Sequence, residues 1–389
     1  VHAELVFTAH PTEAKRKSLR SKLRAIRGIM AELDAPGLLW TEDKFLRAKL
    51  RGELIKLWQT DFIRPNRPTV SLEVHRGLSF QPVLWATVPK IFRALREAVE
   101  ANFPGAKLEV PPVLSFGSWI GGDRDGHPFV TPEITVQSCQ WLRAAALESH
   151  LEVRGALADS LSISRRQSPA CELLENRITA ACERWGEVSA ELEGHGIHES
   201  YRRWLRIIRW RLERTAAVEL AGPPPTGYYP SSEEFAADVA AIRDVLIADG
   251  NIEVATNEVQ SWLDQIQVFG FHTARLDIRQ HAAVYREAID ELLRSAGVMP
   301  AVGALSEAER QRLLTTTLNT ALTIKSATVS PRTAETLELF QTLRRIARSF
   351  GMRALGGHVV SMTHGPSDLL TVLWLWKWSE GTDGGHPDD

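Results

Sequence analysis

Four short apolar runs set the architecture open to this chain, each broken off by a loop dense in glycine, histidine, arginine or aspartate and each followed by a long helical stretch. The runs are Leu5-Val6-Phe7, Pro111 to Phe116, Gln267 to Ile278, and His358 to Thr363. Strands that alternate with helices have no tight hairpin to reverse them, so they read as parallel strands of one sheet. The expectation is an α/β fold strongly dominated by helix, with a long helical excursion over 132–262 between the second and third strands.

The first run leads directly into Thr8-Ala9-His10-Pro11-Thr12-Glu13. Proline is favoured in a first helical turn, where the N–H it lacks would be unpaired. His10 therefore falls where a strand ends and a helix begins, the rim on which α/β proteins carry catalytic side chains. The alternative is a histidine that only hydrogen-bonds a loop. A helix is read from Pro11 to Leu33, with Leu19, Leu23, Ile26 and Met30 as its apolar stripe. Lys15, Arg16, Lys17, Arg20, Lys22, Arg24 and Arg27 make either a solvated basic face or, in the first turn, a draw for an anion near His10.

The second run ends in Gly117-Ser118-Trp119-Ile120-Gly121-Gly122-Asp123-Arg124-Asp125-Gly126-His127-Pro128. Glycines at this density let a ligand approach the backbone. Neither GxxxxGK[ST] nor GxGxxG can be read here, so it is no nucleotide cradle of those kinds, and the calcium-loop spacing is missing. The alternative is a self-capped turn with an internal Asp–Arg pair. In the third run Leu276 and Ile278 alternate with Arg275, Asp277 and Arg279. An arginine at a strand's end is a fork for phosphate or carboxylate, unless it pairs with aspartate to hold a sheet edge.

Further helices are read at 42–58, 82–102, most of 132–220, 232–249 (capped by Ser232), 283–296, 307–325, 334–350 and 369–378. On the 82–102 helix, Arg93/Glu97 and Arg96/Glu100 are spaced to pair on the outer side. Tyr201 to Thr215 interleaves six arginines with Trp204 and Trp210. It reads as a surface helix with its tryptophans inward rather than a nucleic-acid face, because the formal net charge is only −2. That balance also gives no pull toward an anionic membrane, and no apolar run reaches the roughly eighteen residues of a membrane span. Cys139, Cys171 and Cys182 have no metal-type spacing and read as reduced thiols of a cytoplasmic protein. Val1 already lies next to a structural element, so residues upstream of it are expected.

Four segments together resemble the phosphoenolpyruvate carboxylase family: Thr8 to Glu13, Phe116 to Gly126, Leu276-Asp277-Ile278-Arg279-Gln280, and Ser361-Met362 with Pro366-Ser367-Asp368. Leu57-Trp58-Gln59-Thr60-Asp61, Ile63-Arg64, Leu84-Trp85 and Val88-Pro89 match as well, so the similarity runs from Val1 to about Trp378. His127 departs from the asparagine common there. The family's downstream motifs, an acidic strand end and Tyr-Ser-Asp-Ser-x-Lys-Asp segment for the metal and a Gly-Arg-Gly-Gly loop, are not in this sequence. The resemblance thus implies residues 1–389 as the N-terminal half of a single large helix-rich barrel enzyme. This half would be a partial (β/α) TIM-like barrel contributing about four parallel strands, near 4–9, 111–117, 267–279 and 357–363, with two free edges and an uncovered apolar inner layer.

The implied reaction joins phosphoenolpyruvate to bicarbonate through carboxyphosphate and an enolate, giving oxaloacetate and phosphate. The resemblance makes His10 the general base, Arg279 the holder of phosphate oxygens, Trp119 a dry wall against water, and Arg124 a further substrate contact. Gly121, Gly122, Asp123, Asp125 and Gly126 would shape the loop. Mg²⁺ or Mn²⁺ is implied, with ligands outside this chain and none within it. A homo-oligomer, a tetramer in the family, is implied too, with neither nucleic acid nor membrane as partner. The isolated chain is expected to be inactive. The rival from another class is a non-catalytic helical interaction or regulatory module derived from that family.

Overall fold

A computed structural model of the chain describes residues 2–8, 17–61, 69–105, 110–127, 129–194, 196–298, 305–318, 320 and 329–379. The expectations for His10, Lys15 and Arg16 lie outside the described residues. Four strands form one parallel sheet in chain order: β1 (Ala3–Phe7), β2 (Leu114–Ser118), β3 (Arg275–His281) and β4 (Leu355–Ser361). Phe7 stands opposite Ser118, Ser118 opposite Leu276, and Ile278 opposite His358. Sequence neighbours are sheet neighbours and every connection carries helices, so each crossover returns the chain to the same end of the sheet, as in part of an α/β barrel. Among the described residues the sheet is open, with β1 and β4 at its edges.

Helices α1 (Lys17–Leu33), α2 (Trp40–Trp58), α3 (Val70–Leu78) and α4 (Gln81–Asn102) separate β1 from β2. Then come α5 (Pro132–Ser160), α6 (Glu172–Arg184), α7 (Glu187–Leu192), α8 (Ser200–Ala216), α9 (Ser232–Ala248), α10 (Ile252–Val254) and α11 (Gln260–Phe269) before β3. Helices α12 (Ala282–Ser295), α13 (Glu307–Leu318) and α14 (Pro331–Phe350) lead to β4, and α15 (Pro366–Trp378) follows it.

Helix α3 is an addition to the sequence reading, announced by Thr69, whose hydroxyl accepts from the Leu72 N–H. The third strand starts later than expected: 267–269 finish α11, and Gly270 at φ +53° ends that helix before the chain enters β3. Apolar Val268 and Phe269 fit a buried strand or a helix face equally, and length decides between them only when the break is known. The cap of α9 is Ser231 rather than Ser232; its hydroxyl accepts from the Glu234 N–H.

One face of the sheet is buried. Phe116, Leu276 and Ile278 pack against Trp85, Val88 and Phe92 of α4, Phe269 of α11, and Leu339, Leu343 and Ile346 of α14. Phe116 stacks between Phe7 and Phe269, with ring centroids 6.0 Å and 5.5 Å away. Full burial of each such side chain contributes about 1.5–3 kcal/mol. The other face differs from the expected apolar layer: it carries charge, with Glu4 paired to Arg275 and with Asp277 bridging Trp119 and the Gly357 N–H.

Helix α8 is a core helix, not a surface one. Tyr201, Trp204, Leu205, Ile207, Ile208, Trp210 and Leu212 are all buried. Its arginines are spent on neighbouring acids: Arg203 on Glu175 at 2.6 Å, Arg209 on Glu213 at 2.6 Å, Arg214 on Glu187, and buried Arg211 on Asp238 at 2.8 Å and Glu234. Arg96 likewise reaches across to buried Asp264 at 2.7 Å instead of its helical neighbour Glu100. In α1, Leu19 and Ile29 are buried, whereas Leu23 and Met30 of the expected stripe are exposed. The three cysteines are free, Cys139 and Cys171 buried. Among the described residues no helix is long and apolar enough to cross a membrane.

Candidate active site

The loop after β2 is built to continue that strand's pairing past its end. The Trp119 N–H donates to the Phe7 carbonyl at 2.8 Å, which sets the indole at the carboxyl ends of β1 and β2. Trp119's own carbonyl then accepts from both Gly122 and Asp123, each at 3.0 Å, turning the chain tightly. Past the turn, the Arg279 N–H donates to the Gly122 carbonyl at 3.0 Å and the Arg124 N–H donates to the Arg279 carbonyl at 2.8 Å, a parallel bridge between loop and β3.

Two glycines make this approach possible. Gly121 sits at φ +92°, and a Cβ there would fall 1.9 Å from the Ser138 hydroxyl oxygen on α5. A Cβ on Gly122 would fall 1.9 Å from the carbonyl oxygen of Asp277. The loop thus lies directly on β3, and only there can its aspartates reach the strand.

They do reach it. Arg279 is held by Asp123 Oδ2 through Nη1 and by Asp125 Oδ2 through Nη2, both at 3.0 Å. Its guanidinium carbon lies 5.0 Å from the centre of the Trp119 indole, a stacking contact that suits a planar, weakly hydrated cation. The indole N–H donates to Asp277 Oδ2 at 3.0 Å, while Asp277 Oδ1 accepts from the Gly357 N–H at 2.7 Å. Burial raises the Asp277 carboxyl above the ordinary range, opposed by those two donors. The structure therefore brings Trp119, Asp123, Asp125 and Arg279 together, residues that lie far apart in the chain.

The pairing differs from the internal Asp–Arg turn weighed from sequence, because Asp123 and Asp125 serve Arg279 and not Arg124. Arg124 turns the other way. It is 8% exposed, and its guanidinium donates to the Thr131 carbonyl at 3.1 Å and the Thr135 hydroxyl at 2.5 Å at the start of α5. Its Nε has no partner, and burial holds its pKa down to about 10. In this arrangement Arg124 clamps the loop to α5. Gly126, at φ +72°, and exposed His127 close the loop.

Asp277 was quoted within a motif but given no role by sequence reasoning. The alternation Arg275-Leu276-Asp277-Ile278-Arg279 marked it as sharing a face with Arg279, and its partner Trp119 had no such signal. A cleft of about 650 Å³ opens beside the loop, lined by Asp125, His127, Gln280, His281, Tyr285 and Glu335 among others; neither Trp119 nor Arg279 lines it. Among the described residues no cluster of three or more His, Cys, Asp or Glu could hold a metal ion. The described residues do not fit the Mg²⁺ or Mn²⁺ that the resemblance implies, and Asp123 and Asp125 are already engaged by Arg279.

Comparison with known proteins matches residues 1–388 to the family model for phosphoenolpyruvate carboxylase. Among curated relatives, proteins named phosphoenolpyruvate carboxylase from Roseiflexus castenholzii and Ralstonia nicotianae are 34% and 36% identical to it, over 96% and 97% of this chain. A third, from Parasynechococcus marenigrum, is 34% identical over 96% of the chain. The matched region is 41%, 39% and 39% of those three proteins, so the chain spans about two fifths of their length.

Proposed function

The chain belongs to the phosphoenolpyruvate carboxylase family, and we propose that it forms one wall of a site at which phosphoenolpyruvate and bicarbonate give oxaloacetate and phosphate. The observation that carries this reading is the stacked Trp119–Arg279 pair, 5.0 Å apart at the carboxyl ends of adjacent parallel strands. Such ends are where α/β sheets place their ligands.

The roles follow from the chemistry of each group. Phosphate passes from phosphoenolpyruvate to bicarbonate, leaving an enolate and carboxyphosphate; carbon dioxide released from the latter is captured by the enolate. Arg279 has five N–H donors and spends two on aspartates, so the remainder are free to meet phosphate oxygens. The indole of Trp119 excludes water from the enolate, which would otherwise be protonated. His10, two residues past Thr8, is the general base toward carboxyphosphate; an unperturbed imidazole, with a pKa of about 6.5, suits that task. Asp123 and Asp125 orient the guanidinium. The metal expected of the family would find its ligands outside the described residues of this chain, and no step is routed through it. We place the protein in the cytoplasm, with its three thiols reduced, and as a homo-oligomer.

The test uses the protein that carries this chain, with oxaloacetate formation followed by coupled NADH oxidation. His10→Asn should abolish turnover, and Arg279→Gln should lower turnover more than it weakens binding of phosphoenolpyruvate. Near-normal turnover of the His10 variant would refute the assignment. The two aspartates that neutralise Arg279 favour a second reading, a non-catalytic interaction module; absence of any oxaloacetate from the unsubstituted protein supplied with divalent metal would select it.

A further inference from the structure

A second cavity, of about 250 Å³, lies at the opposite end of the sheet, where β2 and β3 begin. Its polar lining is rich in donors, His272, Arg275 and Arg353, with His2, Ser115, Gln267 and Thr273 around them; among the described residues no aspartate or glutamate lines it. His272 is 4% exposed, and its Nε2 is buried with no hydrogen-bond partner. The Nε of Arg275 is likewise buried and unpartnered. Both residues line the cavity, and buried polar atoms without a partner are uncommon. The two guanidinium groups give this lining a positive charge, so an anion that accepts hydrogen bonds suits it better than a neutral or cationic molecule.

The acids nearby act from outside the cavity. Arg275 gives Nη2 to Glu4, leaving Nε free. Arg353 gives Nη1 to Ser232 at 2.9 Å and Glu233 at 3.3 Å, and Nη2 to the Gln267 carbonyl at 3.0 Å. His2 is occupied with the Pro112 carbonyl at 3.1 Å and the Ser115 hydroxyl at 2.9 Å. Another buried cation, Arg143, comes close enough to disfavour charge on the His272 ring; its own guanidinium lies over the Phe271 and Phe350 rings. The neighbourhood is thus short of negative charge, and it draws on three elements: the α11–β3 turn, β3, and the segment before β4.

We propose that this cavity binds a small oxyanion, held by His272 Nε2, Arg275 Nε and the Arg353 guanidinium. The site stands apart from Trp119 and Arg279 and does not depend on the proposed reaction. The experiment is NMR of ¹⁵N-histidine-labelled protein titrated with inorganic phosphate, and separately with acetate, against sodium chloride of equal ionic strength. The His272 ring signal is identified by its loss in His272→Gln. It should shift saturably with one of the two oxyanions and not with chloride; the arm that saturates tells phosphate from carboxylate. Arg353→Gln should weaken that binding by about ten- to a hundredfold, the worth of one charge-assisted hydrogen bond. Arg275→Gln should weaken it too, and Arg279→Gln should leave it unchanged. The proposal fails if the signal moves with neither oxyanion, if chloride moves it equally, or if a folded Arg275 or Arg353 variant binds as tightly as the unsubstituted protein.

Discussion

Replacing Gly122 by alanine tests whether the loop after β2 really rests on β3. The new Cβ would stand 1.9 Å from the Asp277 carbonyl oxygen and 3.1 Å from its carbon, both fixed backbone atoms of the neighbouring strand. Relief requires the loop to lift by roughly 1 Å, since carbon–oxygen contacts under about 3 Å are strongly repulsive. That displacement strains the two bridging bonds, Arg279 N–H to Gly122 carbonyl at 3.0 Å and Arg124 N–H to Arg279 carbonyl at 2.8 Å. Overpacking costs about 1–3 kcal/mol, and each of the two weakened bonds about 1 kcal/mol more, so the variant should lose about 3–5 kcal/mol. Gly126→Ala is the internal control. Its Cβ would meet nothing within 4 Å, and only the φ of +72° resists it, at about 1 kcal/mol. Urea unfolding of both variants, followed by circular dichroism, measures the difference. Equal stabilities, or a Gly122 variant less damaged than the Gly126 one, would mean that the loop does not pack on the strand.

Asp238→Ala should destabilise by about 3 kcal/mol or more, because it strips Arg211 and Tyr229 of a buried partner bonded at 2.8 Å and 2.9 Å; a loss under 1 kcal/mol in urea unfolding would contradict the pairing. His150 donates Nε2–H to the Gly270 carbonyl at 2.8 Å and accepts from the Trp262 indole at Nδ1, and burial pushes its pKa down to about 4. A depressed histidine stabilises the fold fully above its unfolded pKa and loses that contribution as pH falls, so the unsubstituted protein should lose about 1.4 kcal/mol per pH unit more than His150→Gln between roughly pH 6 and 4.5. Parallel pH profiles for the two proteins would refute the neutral assignment. Asp125→Asn removes one of two negative charges on Arg279 and should tighten phosphate binding at that residue several-fold, as read by calorimetry; unchanged or weaker binding would argue that Arg279 does not meet the anion.

The order and parallel sense of the strands were legible because a parallel connection must carry a helix, and three long helical stretches lie between the four apolar runs. Trp119, Asp123, Asp125 and Arg279 were legible as chemistry-bearing residues, but not their partners. Nothing in Gly-Asp-Arg-Asp-Gly says that the aspartates face a strand about 150 residues away while the arginine between them faces α5; that outcome depends on the extended backbone placing Asp123 and Asp125 on one side and Arg124 on the other. Helix α8 misled for a related reason. Six arginines read as solvated, yet acids contributed by α6, α7 and α9 cover Arg203, Arg211 and Arg214, and no local pattern in α8 announces those neighbours.

The charge on the uncovered face of the sheet constrains how an anionic substrate could be held there. Among the described residues around Trp119 the acids Glu4, Asp123, Asp125 and Asp277 outnumber the arginines Arg275 and Arg279, and both arginines are already paired. An apolar inner layer would have closed by burying itself against more strands, whereas this one repels a phosphate until further positive charge arrives. Arg279 can orient a phosphate through its remaining N–H groups, but it cannot supply the attraction, since its own two carboxylates cancel its charge. On the proposed reading the balance comes from positive charge outside the described residues, a metal among the candidates. On this reading the guanidinium sets direction and a second source of charge sets affinity, which is why Arg279→Lys, preserving charge but not the fork, should impair turnover more than it impairs phosphate binding.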